Sequence, residues 1–465
     1  MSTLDAIALA ELGAAVTGAV CLPGEDGYVA ACNIWNGAVR KRPAAAVRCT
    51  SATDVAVALT WSQRHSIEIS VRGGGHNFAG SALCDGGLTI DLSLMRTVTV
   101  DPNTCVATCG GGTTWAELDA ATQAHGLAVP GGFISHTGVA GLTLGGGLGW
   151  LSNEIGLSCD MLIGAEVVTA DGRILHASKD EHAELFWAIR GGGGNFGVVT
   201  RFEFALTPVS PMVHFSMFFV GLDQGRTLLR FARDFIPTLP AGTTAFIGAL
   251  HAPPAPFVPP QHQLQPGYAL LVVGFGEADV HTNAIAPIRS AVAPLFELVT
   301  PMPYVALQQM FNGSAPWGIL AYEKAVHLDT MSDAAIDVIV EHVPRKSSPL
   351  SFVPIFAMGG AYARVPDDAV AFGGSRRTRF VVNISAAAPT PELLAQDTAW
   401  VRAFWAALVI HAPNIGSYVN FMNEYDEARV VAAYGPDKYR RLAGIKATYD
   451  PHNVFHLNAN IKPAR

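Results

Sequence analysis

The chain has 465 residues, half of them hydrophobic, and a formal net charge of −8. The length predicts two or three domains around a large core, and the negative charge argues against nucleic acid or an anionic membrane as a partner. The apolar runs have the length of strands, as in residues 268–273, and fall well short of the ~20 residues that a membrane helix needs.

The amino end and the cysteines bear on the cellular compartment. Residues Met1 to Asp5 lack the basic region that begins a secretory signal, so we expect no leader. All seven cysteines lie between Cys21 and Cys159, without a C-x-x-C pair, which favours reduced thiols. We therefore predict a cytoplasmic protein, and we predict no metal ligands.

The composition divides the chain into three predicted parts. Residues 1–208 are rich in glycine, with short β-prone runs. In residues 209–415 strand-like and helical stretches alternate, which predicts one sheet covered by helices in an α+β arrangement. Residues 416–465 form the third part, since the composition turns polar and aromatic from Asn414 onward.

Several local patterns predict individual elements of the first part. Residues 47–64 are expected to form a strand and then a helix, with Thr53 and Asp54 as cap candidates. Thr113 is expected to cap a second helix that ends at Gly126. Residues 165–175 are typical of a β-hairpin, because Asp-Gly is a favoured two-residue turn.

The second part contains four predicted strands and four predicted helices, and the prolines between residues 253 and 266 indicate a surface loop. The strands are expected over residues 245–250, 268–275, 350–358 and 379–384, and the helices over residues 225–237, 284–296, 332–343 and 391–410.

A run of three glycines between Arg72 and His76 is the most informative motif. Glycines here let a phosphate approach the backbone and let successive N–H groups point into one concavity. Arg72 would add a forked donor for phosphate oxygens, and His76 would lie beside the bound group.

Further clusters occur at residues 110–112, 130–149 and 190–199. One cluster is most simply a tight turn, but four of them indicate a nucleotide site. The conventional dinucleotide fingerprint does not fit, because no helix and ribose-binding acid follow the first cluster.

These clusters, together with the segment from Tyr418 to Ile461, resemble the berberine bridge enzyme-like flavoproteins of the vanillyl-alcohol oxidase and p-cresol methylhydroxylase superfamily. The resemblance implies an FAD-binding module of two α+β subdomains, completed by the carboxyl-terminal segment, and a central substrate domain with an antiparallel sheet covered by helices. It also implies a covalent bond from His76 to a methyl carbon of the isoalloxazine ring. Many relatives carry a second link from a cysteine, but this chain has Ile134, Ser135 and His136 at the corresponding positions. We therefore predict one link, as in the hydroxynicotine oxidase branch.

The resemblance assigns further contacts with FAD to the same loops and to the carboxyl end. The predicted cofactor-binding residues are Arg72, Gly73, Gly74, Gly75, His76, Asn77, Gly80, Gly132, His136, Thr137, Gly138, Gly141, Gly145, Gly146, Gly149, Gly194, Asn195, Gly197, Val199, Tyr418, Asn420 and Asn458.

Three residues are predicted to act in catalysis. By its offset from Phe372, Asn383 falls where berberine bridge enzyme has a catalytic acid, but an amide is no general base near neutral pH. Asn383 would instead hydrogen-bond the substrate or the flavin edge, or face outward from its strand. Tyr418 would assist deprotonation if its pKa were lowered, and is otherwise a core tyrosine with a satisfied hydroxyl. Asn420 lies in the same motif.

The function predicted from the resemblance is an FAD-dependent oxidoreductase. A small organic substrate would bind between the central sheet and the flavin and lose hydride from a C–H bond next to oxygen or nitrogen. Molecular oxygen is expected to reoxidise the flavin and give peroxide. A dehydrogenase that reduces a quinone or a protein, and a flavin-loaded binding protein without turnover, are the alternatives.

Overall fold

The computed structural model describes residues 6–413 and 415–465. Met1 to Asp5, on which the prediction of no leader rests, and Asn414, where the composition changes, lie outside the described residues. Within the described ranges, no helix combines the length and the apolar character needed to cross a membrane. The mixed helices and antiparallel sheets confirm the predicted α+β class.

The amino-terminal layer is a four-stranded sheet with the strand order β1-β2-β4-β3. Strands β2, β3 and β4 are parallel, and β1 pairs with β2 in the antiparallel sense. Three helices, α1 to α3, belong to this layer. Its elements are β1 Ala19–Cys21, β2 Ala45–Arg48, β3 Ile69–Arg72, β4 Leu88–Asp91, α1 Ala6–Ala15, α2 Asp26–Cys32 and α3 Ala52–Arg64.

The second layer is a five-stranded antiparallel sheet with the order β5-β6-β10-β8-β9. The short strands β7 and β11 pair beside it. Its elements are β5 Val98–Asp101, β6 Val106–Gly110, β7 Leu127–Ala128, β8 Leu162–Val168, β9 Ile174–Ser178, β10 Val198–Ala205, β11 Thr207–Pro208, α4 Trp115–Gln123, α5 Val139–Gly145, α6 Ser152–Ile155 and α7 Ala183–Ile189.

Local predictions in these layers are confirmed in part. The hairpin forms as expected, with β8 paired to β9 and Gly172 at φ +81° in the turn. The cap of α3 is Ser51 rather than Thr53 or Asp54, because the Ser51 hydroxyl accepts the Asp54 N–H at 3.1 Å. The cap of α4 is Thr114 rather than Thr113, since the Glu117 carboxylate reaches back to the Thr114 N–H at 2.9 Å.

The third layer is a seven-stranded antiparallel sheet with the order β15-β12-β14-β13-β17-β18-β16. Four of its strands were predicted, whereas β12, β15 and β16 were not. The strands are β12 Met212–Gly221, β13 Thr243–His251, β14 Pro266–Gly274, β15 Phe296–Pro303, β16 Leu320–Leu328, β17 Val353–Ala357 and β18 Phe380–Ala388.

Helices cover one face of this sheet, as predicted, and apolar side chains such as Ile247, Val272 and Phe404 form the core between them. The helix expected over residues 284–296 begins earlier and ends at Ala291, so that Phe296 starts a strand instead. The helices of this part and of the carboxyl end are α8 Gly225–Phe235, α9 Ala278–Ala291, α10 Tyr304–Gln309, α11 Asp333–His342, α12 Gly360–Arg364, α13 Pro391–Val409, α14 Glu427–Tyr434 and α15 Pro436–Tyr449.

The opposite face of the seven-stranded sheet packs against the glycine-rich part of the chain. Phe246 and Phe356 of the sheet share a core with Leu148 and Trp150. These two residues lie at the end of the glycine cluster of residues 130–149, the second glycine loop. Tyr418, from the carboxyl-terminal segment, joins the same core. Leu148, Trp150 and Tyr418 therefore lie on one inner surface, against this sheet.

Candidate active site

The first glycine loop leaves β3 and presents free backbone donors. Among the described residues, the N–H groups of Gly74, Gly75 and His76 have no protein acceptor. Gly75 has φ +71°, a conformation that turns adjacent N–H groups toward one point. A Cβ atom on Gly138 would lie 2.5 Å from the Gly74 nitrogen, so glycine allows the first two loops to touch through their backbones. The loop pair therefore suits an anionic group such as a pyrophosphate.

The Arg72 side chain is held by protein rather than aimed at the loop. One terminal nitrogen contacts Asp91 Oδ1 at 2.9 Å, and the other donates to the Asn33 carbonyl at 3.0 Å. Both Arg72 and Asp91 are buried. An arginine between β3 and β4 stabilises the sheet on which the loop stands, and the phosphate contact of Arg72 stays a prediction.

His76 and His136, predicted to meet the flavin, lie against each other. His76 Nε2 is 2.7 Å from His136 Nδ1, and Thr137 Oγ1 lies 3.5 Å from His76 Nδ1. The His76 ring stacks on Trp35 with centroids 5.3 Å apart, and Trp317 meets its edge. Burial, with the His136 and Arg72 charges, lowers the pKa of His76 to about 3. The imidazole is therefore neutral at neutral pH and keeps a nucleophilic nitrogen.

Tyr418 and Asn420 bind the second glycine loop. The Tyr418 hydroxyl accepts the Gly147 N–H at 2.7 Å and the Asn420 amide N–H at 2.8 Å. A side chain at Gly145 would overlap the Asn420 amide. Burial raises the pKa of the Tyr418 phenol far above its ordinary value. The condition for Tyr418 to assist deprotonation, a lowered pKa, is therefore not met, and its phenol stays protonated.

The glycine cluster of residues 190–199, the third glycine loop, is bound to the carboxyl end. The Asn195 amide donates to the Gly192 and Ala459 carbonyls at 2.8 and 3.1 Å and accepts the Ile461 N–H at 2.9 Å. Asn458 donates to the Gly194 carbonyl at 3.1 Å. The Asn195 side chain is thus bonded to protein, and its cofactor contact stays a prediction. Its observed role is to join the two segments.

The remaining predicted cofactor residues lie in or next to these loops. Asn77 donates to the Tyr425 hydroxyl at 3.0 Å. Gly141 lies within α5, where a Cβ atom would meet nothing within 4 Å, so no close approach requires glycine there. The others are Gly73, Gly80, Gly132, Gly146, Gly149, Gly197 and Val199.

Asn383 faces inward from β18 and is bound to a carboxyl that the sequence analysis missed. Its amide donates to Glu323 Oε2 at 2.8 Å, and both side chains are buried. The outward-facing alternative for Asn383 is therefore wrong. A signal for Glu323 was available, since it shares one face of the strand with Ala321, Ala325 and His327.

A cavity of about 220 Å³ lies between the sheet and the second glycine loop. His327 and Val381 line it from the sheet, and Leu148 and Tyr418 line it from the opposite side. The Tyr418 backbone N–H donates to His327 Nε2 at 3.1 Å, which fixes the histidine ring. The lining is mostly apolar, but the volume, which includes space open to solvent, is smaller than that of a typical small-molecule site.

The site residues therefore fit FAD. The donors of the first loop suit its pyrophosphate, the neutral His76 suits an isoalloxazine edge, and the close backbone contact of Gly74 with Gly138 joins the two loops.

Comparisons with known proteins agree with this fit. Residues 43–178 match the family described as FAD binding domain, and residues 417–462 match the family described as Berberine and berberine like. The chain is 32% identical to (R)-6-hydroxynicotine oxidase of Paenarthrobacter nicotinovorans over 96% of this chain and 97% of that protein.

Solved structures share the whole fold. The crystal structure of 6-hydroxy-D-nicotine oxidase from Arthrobacter nicotinovorans superimposes with a TM-score of 0.85 at 28% identity, covering 97% of this chain and 98% of that chain. Glucooligosaccharide oxidase from Acremonium strictum, whose flavin is described as 6-S-cysteinyl, 8α-N1-histidyl FAD, superimposes with a TM-score of 0.86 at 24% identity, covering 98% and 99%. The chain therefore belongs to the berberine bridge enzyme-like family of FAD-linked oxidoreductases.

Proposed function

We propose that this FAD-dependent enzyme is an oxidase that takes hydride from a C–H bond next to nitrogen or oxygen of a small organic molecule and passes the electrons to molecular oxygen. The similarity over nearly the whole chain to a protein named as an oxidase carries this proposal. Bound FAD supplies the two-electron acceptor. The protein supplies the mostly apolar surface beside Tyr418, against which the substrate would bind.

The proposal includes a single covalent link to FAD through His76. The His136 ring supports it in the tautomer in which His76 Nε2 donates to His136 Nδ1, because His76 Nδ1 then keeps the reactive lone pair. Position 136 holds histidine, and Cys159 lies fully buried with its thiol pKa raised well above the ordinary value. A thiolate for a second link is therefore disfavoured.

The proposed domain organisation assigns residues 1–208 and 416–465 to the FAD-binding module and residues 209–415 to the substrate domain. Support comes from the bonds of Asn195 and Asn458, which join the third glycine loop to the carboxyl end. The seven-stranded sheet with its covering helices falls within residues 209–415.

The mass of the intact protein after acid denaturation tests the link. We expect a mass raised by one FAD in the wild type and no added mass in His76→Ala. A flavin adduct mapped to a cysteine peptide would contradict the single link.

Stopped-flow spectroscopy tests the electron acceptor. After anaerobic reduction, mixing with air should reoxidise the flavin rapidly and form one peroxide per flavin. Slow reoxidation, with fast turnover on a quinone, would show a dehydrogenase instead. A flavin that no amine, alcohol, sugar or phenol bleaches under nitrogen would show a binding protein.

A further inference from the structure

We propose that Glu323 is the catalytic residue that takes up the substrate's N–H or O–H proton, and that Asn383 is the positioning residue for its carboxyl. The proposal rests on the proposed function, because it concerns the same oxidation.

The two side chains form an incompletely satisfied pair on the inner face of the sheet. Asn383 donates to Glu323 Oε2 at 2.8 Å, and the exposed fractions of Glu323 and Asn383 are 1% and 5%. Within the described residues, Glu323 Oε1 and Asn383 Oδ1 are buried without a hydrogen-bond partner. Two acceptors in one place suit a ligand that brings a donor, because a buried oxygen without a partner is costly.

The pairing of β16 with β18 places this pair next to the cavity. Asn383 lies opposite Ala325, one inward position from Val381 and His327, which line the cavity. Inward positions repeat every second residue, so Asn383 is about 7 Å along the strand from the cavity lining, and Glu323 is one further step.

Glu323 is also tied to the loop that carries His76. Its backbone N–H donates to Asn423 Oδ1 at 2.8 Å, and Asn423 donates to the Phe78 carbonyl at 3.3 Å. Phe78 follows His76 by two residues. The backbone of Glu323 is therefore connected, through Asn423, to the loop that carries the predicted point of flavin attachment.

Another buried carboxyl of the same part, Asp397, is more fully bonded. Asp397 accepts the N–H groups of Ser347 and Ser348 at 2.7 and 3.0 Å and the hydroxyl of Ser351. Glu323 has one side-chain donor, from Asn383. The second oxygen of Asp119 is likewise unpaired, so the position of Glu323 on the inner face of the sheet, together with its unpaired oxygen, distinguishes it.

The titratable groups around this surface leave Glu323 as the suitable proton acceptor. Burial raises the pKa of its carboxyl to about 8, while the Asn383 hydrogen bond acts in the lowering direction. On the same strand, burial lowers the pKa of His327 to about 4. Burial raises the pKa values of Tyr418 and Tyr425, the second also through the Glu323 charge, so both phenols stay protonated. The pKa of His76, about 3, is too low. A general base works best with a pKa near the operating pH.

The step balances as a two-electron oxidation. The substrate C–H bond breaks and its hydrogen leaves with the electron pair as hydride, for which FAD is the acceptor. The proton of the neighbouring N–H or O–H group passes to Glu323 Oε1, and a C=N or C=O bond forms. Molecular oxygen, the oxidant of the proposed function, then takes the two electrons and two protons as peroxide.

Anaerobic reduction of the holoenzyme by (R)-6-hydroxynicotine, benzylamine, benzyl alcohol or cellobiose tests the role. With any probe that bleaches the wild type, the rate constant should rise with pH, with a midpoint near pH 8. In Glu323→Gln we expect this rise to vanish and the rate constant to fall by roughly 10²- to 10⁴-fold. Glu323→Asp should keep the rise at a lower rate, and it replaces the glutamine variant if that one does not fold. Asn383→Ala should shift the midpoint to higher pH, because the hydrogen bond that lowers the pKa is lost.

Asp119→Asn is the matched control, since Asp119 is another fully buried carboxyl with a raised pKa and one hydrogen-bond donor, Gln308. It should leave the rate and its pH profile unchanged. A Glu323→Gln holoenzyme that is reduced at the wild-type rate with the wild-type profile overturns this role and leaves the oxidase function standing. A wild type that no probe bleaches overturns the proposed function, and this role falls with it.

Discussion

Replacing Gly138 by alanine should push the first two glycine loops apart. The new Cβ atom would lie 2.5 Å from the nitrogen and 2.6 Å from the Cα atom of Gly74. Gly138 has φ −72°, which alanine adopts without strain, so the perturbation is steric. Real Cβ atoms essentially never come closer than 3.0 Å, and the obstacle is backbone. The loops must therefore separate by at least about 0.5 Å, and overpacking of this kind costs about 1–3 kcal/mol.

The separation acts directly on the histidine pair. His136 precedes Gly138 by two residues, and His76 follows Gly74 by two. A shift of about 0.5 Å along the His76–His136 contact would stretch it toward the limit of a hydrogen bond. We expect Gly138→Ala to unfold at a lower temperature and to carry FAD covalently in only a fraction of molecules.

Two measurements check this prediction: the thermal midpoint, and the covalently flavinylated fraction from the mass after acid denaturation. Gly444→Ala is the control, because Gly444 lies inside α15 and a Cβ atom there meets nothing within 4 Å. The control should bind flavin normally and gain about 0.5–1 kcal/mol. Complete flavinylation and an unchanged midpoint in Gly138→Ala would refute the idea that glycine is needed for contact between the loops.

Three further changes test other parts of the site. His136→Ala removes the 2.7 Å contact with His76 and should slow covalent attachment roughly tenfold to hundredfold, followed as the flavin-bearing mass over time; attachment at the wild-type rate would contradict the role of this contact. Arg72→Ala should lower the free energy of unfolding by about 3 kcal/mol, because Asp91 loses a buried ion pair. The loss is limited because Asp91 keeps its other hydrogen-bond donors. Weaker FAD binding at unchanged stability would instead support the phosphate role. Burial raises the pKa of Asp119 from 3.8 to about 7, so the folded state binds this proton more tightly than the unfolded state. Wild-type stability should therefore decline by up to about 4 kcal/mol between pH 4 and 7 relative to Asp119→Asn, and parallel unfolding curves across this range would exclude the effect.

Helices, strands and turns that depend on neighbouring residues could be predicted from the sequence. Those that depend on contacts with residues far along the chain could not. The hairpin at Asp171-Gly172 depends on its own turn residues and formed as expected. Strand β15 contains Pro301 and Pro303, which argue against a strand, but it lies at the edge of its sheet where one side of the backbone is unpaired. Strand β16 is the other edge, and Lys324 pairs there with Met422 of the carboxyl-terminal segment. No residue pattern within β15 or β16 indicates that the strand lies at the edge of the sheet.

The glycine clusters and His76 could be found because their chemistry depends on residue type at adjacent positions. The sequence also showed that Arg72 can donate several hydrogen bonds, but it did not show that Asp91 accepts one of them. Asp91 lies beside Arg72 only because β3 pairs with β4. The same holds for Glu323, which meets Asn383 across 60 residues because β16 pairs with β18 in one register. A shift of that register by one residue would turn the carboxyl to the helix-covered face. The position of a proton acceptor in this family member is therefore a property of strand pairing, and a search confined to β18 finds an amide where the neighbouring strand supplies the acid.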